Sequence, residues 1–325
     1  MRKLTLALIA LAALAVPFMG SAYVSVVGAR ILIYGMLAMS LDLILGYGGL
    51  VSFGHAAYFG VGAYTVGILA FNGITSGFIA FPAAVVAAAA IAVAIGAFSL
   101  RTRGIYFIML TLAFAQMLFY LAIGQQQLGG DDGMPLPHHD SFGGLVNMAS
   151  PAQFYYVTLA LLAATTWLAH RLVRSRFGLV LDACRQNETR LLTVGISTYR
   201  YKLAAFVVAG AIAGLAGALI ANLEAYISPN FLDWRVSGEV IMMIVMGGIG
   251  TLLGPVVGAA LYIILEEIVT PFTAHWMAIL GPMLVLAALF WRRGVWGMLS
   301  GVPAAARTAS ASVAAAADAA AKPQA

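Results

Sequence analysis

Residues 47–64 read YGGLVSFGHAAYFGVGAY, and with Gly46 just before them they crowd six glycines around a single histidine, His55. Glycine loses more backbone freedom on folding than any other residue, and it weakens a helix by roughly 1 kcal/mol relative to alanine. The residues between these glycines are nevertheless apolar enough to be buried. What such a segment is for depends on the setting that the rest of the chain supplies.

The 325-residue chain is 62% hydrophobic and only 9% charged, with a mean hydropathy of +0.97. Soluble domains carry about 25% charged residues, so this chain lacks the charge to cover a water-facing surface. Apolar runs recur from residue 4 to residue 291, the mark of a polytopic membrane protein. The formal net charge of +5 does not point to nucleic acid, because the basic residues sit in the gaps between apolar runs. Cys184 is the one cysteine, which excludes an internal disulfide and a cysteine-rich metal site. Arg2 and Lys3 before LTLALIALAALAV, with GSA at 20–22, outline a signal peptide. An uncleaved first span is the preferred reading, since the later apolar segments already commit the chain to the membrane.

A span needs about 20 residues to cross roughly 30 Å of hydrocarbon. Spans are expected near 4–20, 29–46, 52–71, 78–98, 104–124, 154–173, 200–221, 238–250, 254–270 and 275–291. Segment 238–250 is short enough to be re-entrant, so the expectation is an all-α transmembrane helix bundle of eight to ten spans, ten preferred. With the N-terminus inside, ten alternating spans place all of the 17 basic residues except Arg30 and Arg235 on the cytoplasmic side. The positive-inside rule is rarely met so one-sidedly by chance, and it puts the C-terminus inside as well. On this reading residues 1–298 form the transmembrane domain, and the Ala- and Ser-rich 299–325 is a disordered cytoplasmic tail.

Two segments between spans are long. Residues 125–153, outside, carry turn-forming Gly129, Gly130 and Gly133 with Pro135 and Pro137. A metal site from Asp131, Asp132, His138, His139 and Asp140 is disfavoured, because adjacent histidine side chains diverge and no helix-spaced pair is present. A solvated periplasmic loop is expected instead. Residues 174–199, inside, read as one short amphipathic helix bounded by Gly178 and Gly195, with Glu188 and Arg185 spaced to pair on one turn. A helix lying in the headgroup plane and a docking element for a cytoplasmic partner fit that pattern equally.

A second stretch, MGGIGTLLGPVVGAALYII at 246–264, echoes the first. Gly247, Gly248, Gly254 and Gly258 stand where Gly48, Gly49, Gly54 and Gly60 stand in the other, each set between one helix and the next. Paired glycine-interrupted segments are the sequence sign of an internal repeat in transporters, and broken backbone at membrane depth must be satisfied by protein or a water-lined path. Close helix packing is the bland use of these glycines, as of Gly210, Gly214 and Gly217. Ionisable residues within the apolar segments are few: Asp42, His55, Glu239, Glu266 and Glu267. They form no string across the bilayer such as a proton-driven carrier would want.

LDLILGYGGLVSFGHAAYFGVGAYT (41–65), RGIYFIMLTLAFAQM (103–117), LGGDDG (128–133), RSRFGLVLDACRQNETRLLTVGI (174–196), YRYKLAAFVVAGAIAGLAGAL (199–219) and GEVIMMIVMGGIGTLLGPVVGAAL (238–261) together resemble the LivM-type permeases of branched-chain amino acid ABC importers. The resemblance runs in order over roughly residues 28–298. It implies a bacterial inner-membrane subunit that pairs with a LivH-like second permease, with two cytoplasmic ATPase subunits below and a periplasmic substrate-binding protein above. It also implies that Gly178, Arg185, Asn187, Glu188 and Gly195 belong to the segment that couples to the ATPase. Relatives often carry an acidic residue where Asn187 stands, and LGGDDG has leucine where threonine is usual. The chain has no Walker A motif, so ATP and magnesium are expected in the ATPase partners and no cofactor in this chain. Gly48, Gly49, Gly54, His55, Gly247, Gly248 and Gly254 are the candidates for a path or gate. The expected cargo is a small molecule, a branched-chain or other amino acid, with urea, short amides or aromatic acids as the alternative. A secondary carrier or channel fits less well, for want of the coupling segment, and an enzyme lacks any paired nucleophile and base.

Overall fold

The computed structural model describes residues 21–140, 142 and 148–271, with 14, 17, 281–282 and 294–296 as isolated positions. The expected first and last spans and the tail lie outside the described residues. Helix α1 (Ala22–Asp42) continues as a turn of π-helix (Leu43–Tyr47) and is followed by α2 (His55–Phe71), α3 (Gly77–Ser99) and α4 (Ile105–Gly124). Then come β1 (Met134–Pro135), α5 (Pro151–Val173), α6 (Arg176–Gln186), α7 (Glu188–Thr193), α8 (Thr198–Glu224), β2 (Tyr226–Ile227), α9 (Trp234–Gly247) and α10 (Gly254–Val269). Five of these, α1 with its π turn, α3, α4, α5 and α8, are long and apolar enough to cross a membrane.

The expected 238–250 span is α9, which starts at Trp234 because the Asp233 side chain caps it, accepting from the Arg235 N–H at 2.8 Å. Its 14 residues reach about 21 Å at 1.5 Å per residue, short of a full crossing. Helices α2 and α10, of 17 and 16 residues, are also short.

Helix α8 is the axis of the bundle, with 67% of its apolar window buried against 22% for α4 and α5. The reason is legible residue by residue. Ala80, Ala84, Ala88 and Ala92 recur every four residues along α3, all fully buried. Gly214 and Gly210 of α8 fit against Ala88 and Ala92, where an added methyl would collide. One turn on, Gly217 abuts the Phe59 carbonyl of α2, and Gly62 of α2 abuts the Gly214 backbone. Without a hydrophobic drive between helices in lipid, such small-residue ridges are what let backbones approach and gain dispersion energy. Aromatic rings fill the remainder: Tyr58 of α2 meets Phe206 of α8 edge-on, which in turn meets Phe107 of α4.

Contacts between distant segments sort the connections onto two ends. At one end the α3–α4 turn meets α7 through Arg103 and Glu188, and α6 meets the π turn through Arg185 and Gly46. At the other end β1 pairs antiparallel with β2, Met134 opposite Ile227, and Tyr23 at the start of α1 bonds Glu267 near the end of α10. The first end carries Arg101, Arg103, Arg171, Arg174, Arg176, Arg185, Arg190, Arg200 and Lys202. The second carries Arg30 and Arg235 with most of the carboxylates, among them Asp131, Asp132, Asp140, Glu224 and Asp233. Consecutive spans therefore alternate in direction, and charge distinguishes an arginine-rich end from an acidic one.

Segment 125–153 is not simply solvated. Met134, Leu136, Asp140 and Met148 are buried. Asp140 and Asn222, at the end of α8, exchange two hydrogen bonds: the Asp140 N–H donates to Asn222 Oδ1 at 2.9 Å, and Asn222 Nδ2 donates to Asp140 Oδ2 at 2.8 Å. Burial pushes the Asp140 carboxyl up from its ordinary value, against the pull of the Asn222 hydrogen bond and the nearby His139. Among the described residues no group of three or more His, Cys, Asp or Glu is placed to hold a metal ion.

Candidate functional site: two glycine turns meeting an arginine

The two glycine-interrupted segments come together at the arginine-rich end. Asp42, 1% exposed at the end of α1, accepts a hydrogen bond from the Gly250 N–H at 2.8 Å through Oδ1. Gly46 lies against the backbone of Gly250, where an added methyl would sit 2.6 Å from the Gly250 nitrogen and Cα. Gly247 and Gly254 close the second turn on each other, and Gly294 lies against Gly247 and Gly248. Gly49 and Gly248 adopt positive φ of 69° and 118°, where a side chain would strain the backbone.

Arg185 of α6 reaches into this junction. Its Nη1 donates to the Gly46 carbonyl at 2.6 Å, its Nη2 pairs with Asp182 at 3.2 Å, and its stem lies over Gly49, 2.7 Å from where a methyl would stand. That carbonyl is available because the helix ends at Tyr47: the carbonyls of Ile44 and Leu45 accept from the N–H groups of Leu50 and Gly49, and Gly46, in the last turn, has no residue further along the helix to bond it.

Helix α2 begins in the same region without a cap of its own, since its N-cap residue is Gly54. The missing acceptors come from elsewhere in the chain. Ser237 of α9 accepts from the Ala56 N–H at 2.8 Å, and just ahead of the helix Thr111 of α4 accepts from the Phe53 N–H at 3.3 Å, fixing the entering chain. Gly54 itself fits under the Thr111 carbonyl, and Gly48 under the Ile44 carbonyl. His55 is fully buried, with Nε2 2.7 Å from Ser40 Oγ. Ser40 Oγ also lies 2.7 Å from the Leu37 carbonyl, which accepts from it. Asp42 and His55 thus lie toward the arginine-rich end, and Glu239, Glu266 and Glu267 toward the acidic one.

The expected single cytoplasmic helix is broken in two. Asn187 takes an extended conformation, φ −159° and ψ 95°, and its side chain caps α7 by accepting from the Arg190 N–H at 3.0 Å. A capping asparagine competes with the helical backbone, and here it wins. The expected Arg185–Glu188 pair is consequently absent. Glu188 turns to its own bundle, pairing with Lys202 at 2.8 Å and Arg103 at 3.6 Å and accepting from Thr198 Oγ1 at 2.9 Å. Gly178 does not bound the helix either; it lies in the first turn of α6, packed on the Val173 carbonyl. Gly195 ends α7, the N–H groups of Gly195 and Ile196 donating to the carbonyls of Leu192 and Leu191, both at 3.0 Å.

Partial burial raises the Glu188 carboxyl, but the hydrogen bonds from Lys202 and Thr198 and the charges of Lys202 and Arg103 outweigh it and hold the group below the usual carboxylate range. Its contribution to stability is therefore present above the ordinary glutamate value and lost as pH falls through the lowered one. Glu188→Gln should speed amide exchange across 188–196 by about threefold to tenfold at neutral pH, as loss of a charge-assisted bond implies. The difference from the parent should shrink in acid. Equal exchange at neutral pH would mean that the ion pairs do not hold α7.

Short apolar helices tied by internal glycine contacts, with charge sorted to opposite ends, define a multi-pass α-helical membrane bundle with a jointed core. The chain belongs to the family described as the permease component of branched-chain amino acid transport systems, whose profile matches residues 23–288, and is a permease subunit of the ABC-importer type. It is 28% identical to the high-affinity branched-chain amino acid transport system permease protein LivM of Escherichia coli (strain K12), over 90% of this chain and 74% of that protein. LivM of Salmonella typhimurium is similar at the same identity and coverage. LivH of Escherichia coli (strain K12) is 24% identical over 81% of this chain and 91% of that protein. No solved structure matches the chain.

Proposed function

We propose that this chain is one of two permease subunits in a binding-protein-dependent importer of the bacterial inner membrane. A LivH-like subunit completes the path, and a periplasmic binding protein delivers a branched-chain or other amino acid at the acidic end. Two ATPase subunits dock at the arginine-rich end, against α6 and α7. Ten spans with both termini inside, related in part by an internal repeat, complete the arrangement, and the turns 46–54 and 247–254 form its inner gate. The reading rests most on Arg185, a single side chain that joins α6 to the first glycine turn, which in turn packs on the second. Closure of the ATPases against α6 then has a short mechanical route to both turns.

Orientation is tested by a single cysteine at the exposed Asp131 in a Cys184→Ser background; Asp140, being buried, would not serve. An impermeant thiol reagent added to intact spheroplasts should label it. Labelling only after the membrane is opened would reverse the orientation.

Cargo is tested on the cognate binding protein by calorimetric titration with leucine, valine, urea and benzoate. Leucine or valine should bind at micromolar affinity or tighter, about −8 kcal/mol. Binding of urea or benzoate, with none of leucine, would replace the amino acid by the alternative cargo and leave the permease role standing.

A further inference from the structure

Charge at the arginine-rich end does not balance. Its described carboxylates are engaged: Asp42 with the Gly250 N–H, Asp182 with Arg185, and Glu188 with Lys202 and Arg103. Arg171 and Arg174, at the end of α5, form no ion pair among the described residues and are exposed. His170 and Arg171 lie three and four residues after Trp167, and the C-cap residue Arg174 lies four and three after them, so the four share one face at the end of α5. The Arg171 guanidinium stands over the Trp167 ring, 5.4 Å from its centroid, and that ring is 60% exposed. With Ser175 these four residues line a shallow recess of about 530 Å³.

We propose that this recess binds the headgroup of an anionic phospholipid. The phosphate diester lies against Arg171 and Arg174, and the first acyl carbons run along Trp167. Guanidinium groups match phosphate oxygens in pairs, and the stack on Trp167 holds one of them in place without using its donors. Basic recesses at the cytoplasmic ends of transmembrane helices are where anionic headgroups dock, and tryptophan belongs at that depth. A soluble phosphate offers the same anion chemistry. Trp167 decides between them: four residues deeper, or about 6 Å, it adds an exposed apolar wall that a lipid uses and a free anion does not.

The full chain, with the subunits that co-purify, is reconstituted into phosphatidylcholine vesicles containing brominated phosphatidylglycerol or brominated phosphatidylcholine, and tryptophan fluorescence is read. Subtracting a Trp167→Phe sample isolates that residue from the other four of the five tryptophans. Brominated phosphatidylglycerol should half-quench Trp167 at an about fivefold lower mole fraction than brominated phosphatidylcholine, and Arg171→Gln with Arg174→Gln should bring the two within about twofold. Equal quenching of the isolated Trp167 signal by both lipids overturns the proposal, a comparison that needs only the conservative Trp167→Phe variant to fold. Reversal of the phosphatidylglycerol preference by millimolar inorganic phosphate also overturns it, assigning the recess to a soluble anion.

Discussion

Arg185→Ala should leave ATP hydrolysis running in the assembled importer while uptake falls about tenfold or more, the scale of one lost charge-assisted hydrogen bond acting in the coupled step. The side chain bonds the Gly46 carbonyl, pairs with Asp182 and covers Gly49, so it is the described link from α6 into the first glycine turn. From there Gly46 abuts Gly250, and Asp42 holds the Gly250 N–H. Truncation removes the first joint and leaves the second. Solute taken up per ATP hydrolysed, measured in proteoliposomes, is the quantity to follow. If that ratio is unchanged while both rates persist, α6 does not act through Arg185. Lysine would keep the charge but not the planar fork, and should restore little.

Gly217→Val should sharply lower both the yield and the stability of the folded chain. At the α2–α8 crossing a side chain at 217 runs into the Phe59 carbonyl, which belongs to a helix and cannot step aside. Overpacking of this kind costs several kcal/mol, because the backbones must separate and every contact along the seam weakens. Gly124→Val provides the control. That glycine ends α4, and nothing outside its own helix backbone stands within 4 Å of an added Cβ. Membrane-fraction yield and the detergent aggregation temperature should fall sharply for the first variant, by about 10 °C or more, and hardly for the second. Similar behaviour of the two would mean that the α2–α8 contact is looser than its geometry requires.

How far the sequence carries depends on the range of each interaction. Apolar length and the one-sided arginines give the long helices and the two ends, because both effects act on whole segments. Gly210, Gly214 and Gly217 reveal a packing ridge through their spacings of four and three. The break at Asn187 runs against the apolar stripe that predicts a single helix, and a local side-chain cap outweighs that pattern. The capping of α2 by Ser237 has no local signature at all, since donor and acceptor are 181 residues apart. The same holds for Asp42 and Gly250, separated by 208 residues. The echo between the two glycine segments flags both places without saying that they touch. Asp140 belongs with these: a carboxylate in a turn-rich polar stretch reads as solvated, yet Asn222 draws it inside.

The sorting of charge onto opposite ends has an electrical consequence. An energised bacterial membrane is negative inside, and a charge carried across it is worth about 2.3 kcal/mol per 100 mV. With the arginine-rich end inside, as proposed here, the voltage holds those arginines where they are and also favours the carboxylates of the opposite end. Inverting the chain would drive both sets against the field at once. The respiring cell's own voltage thus acts as a restoring force on the orientation of the subunit, one that detergent and de-energised vesicles do not supply.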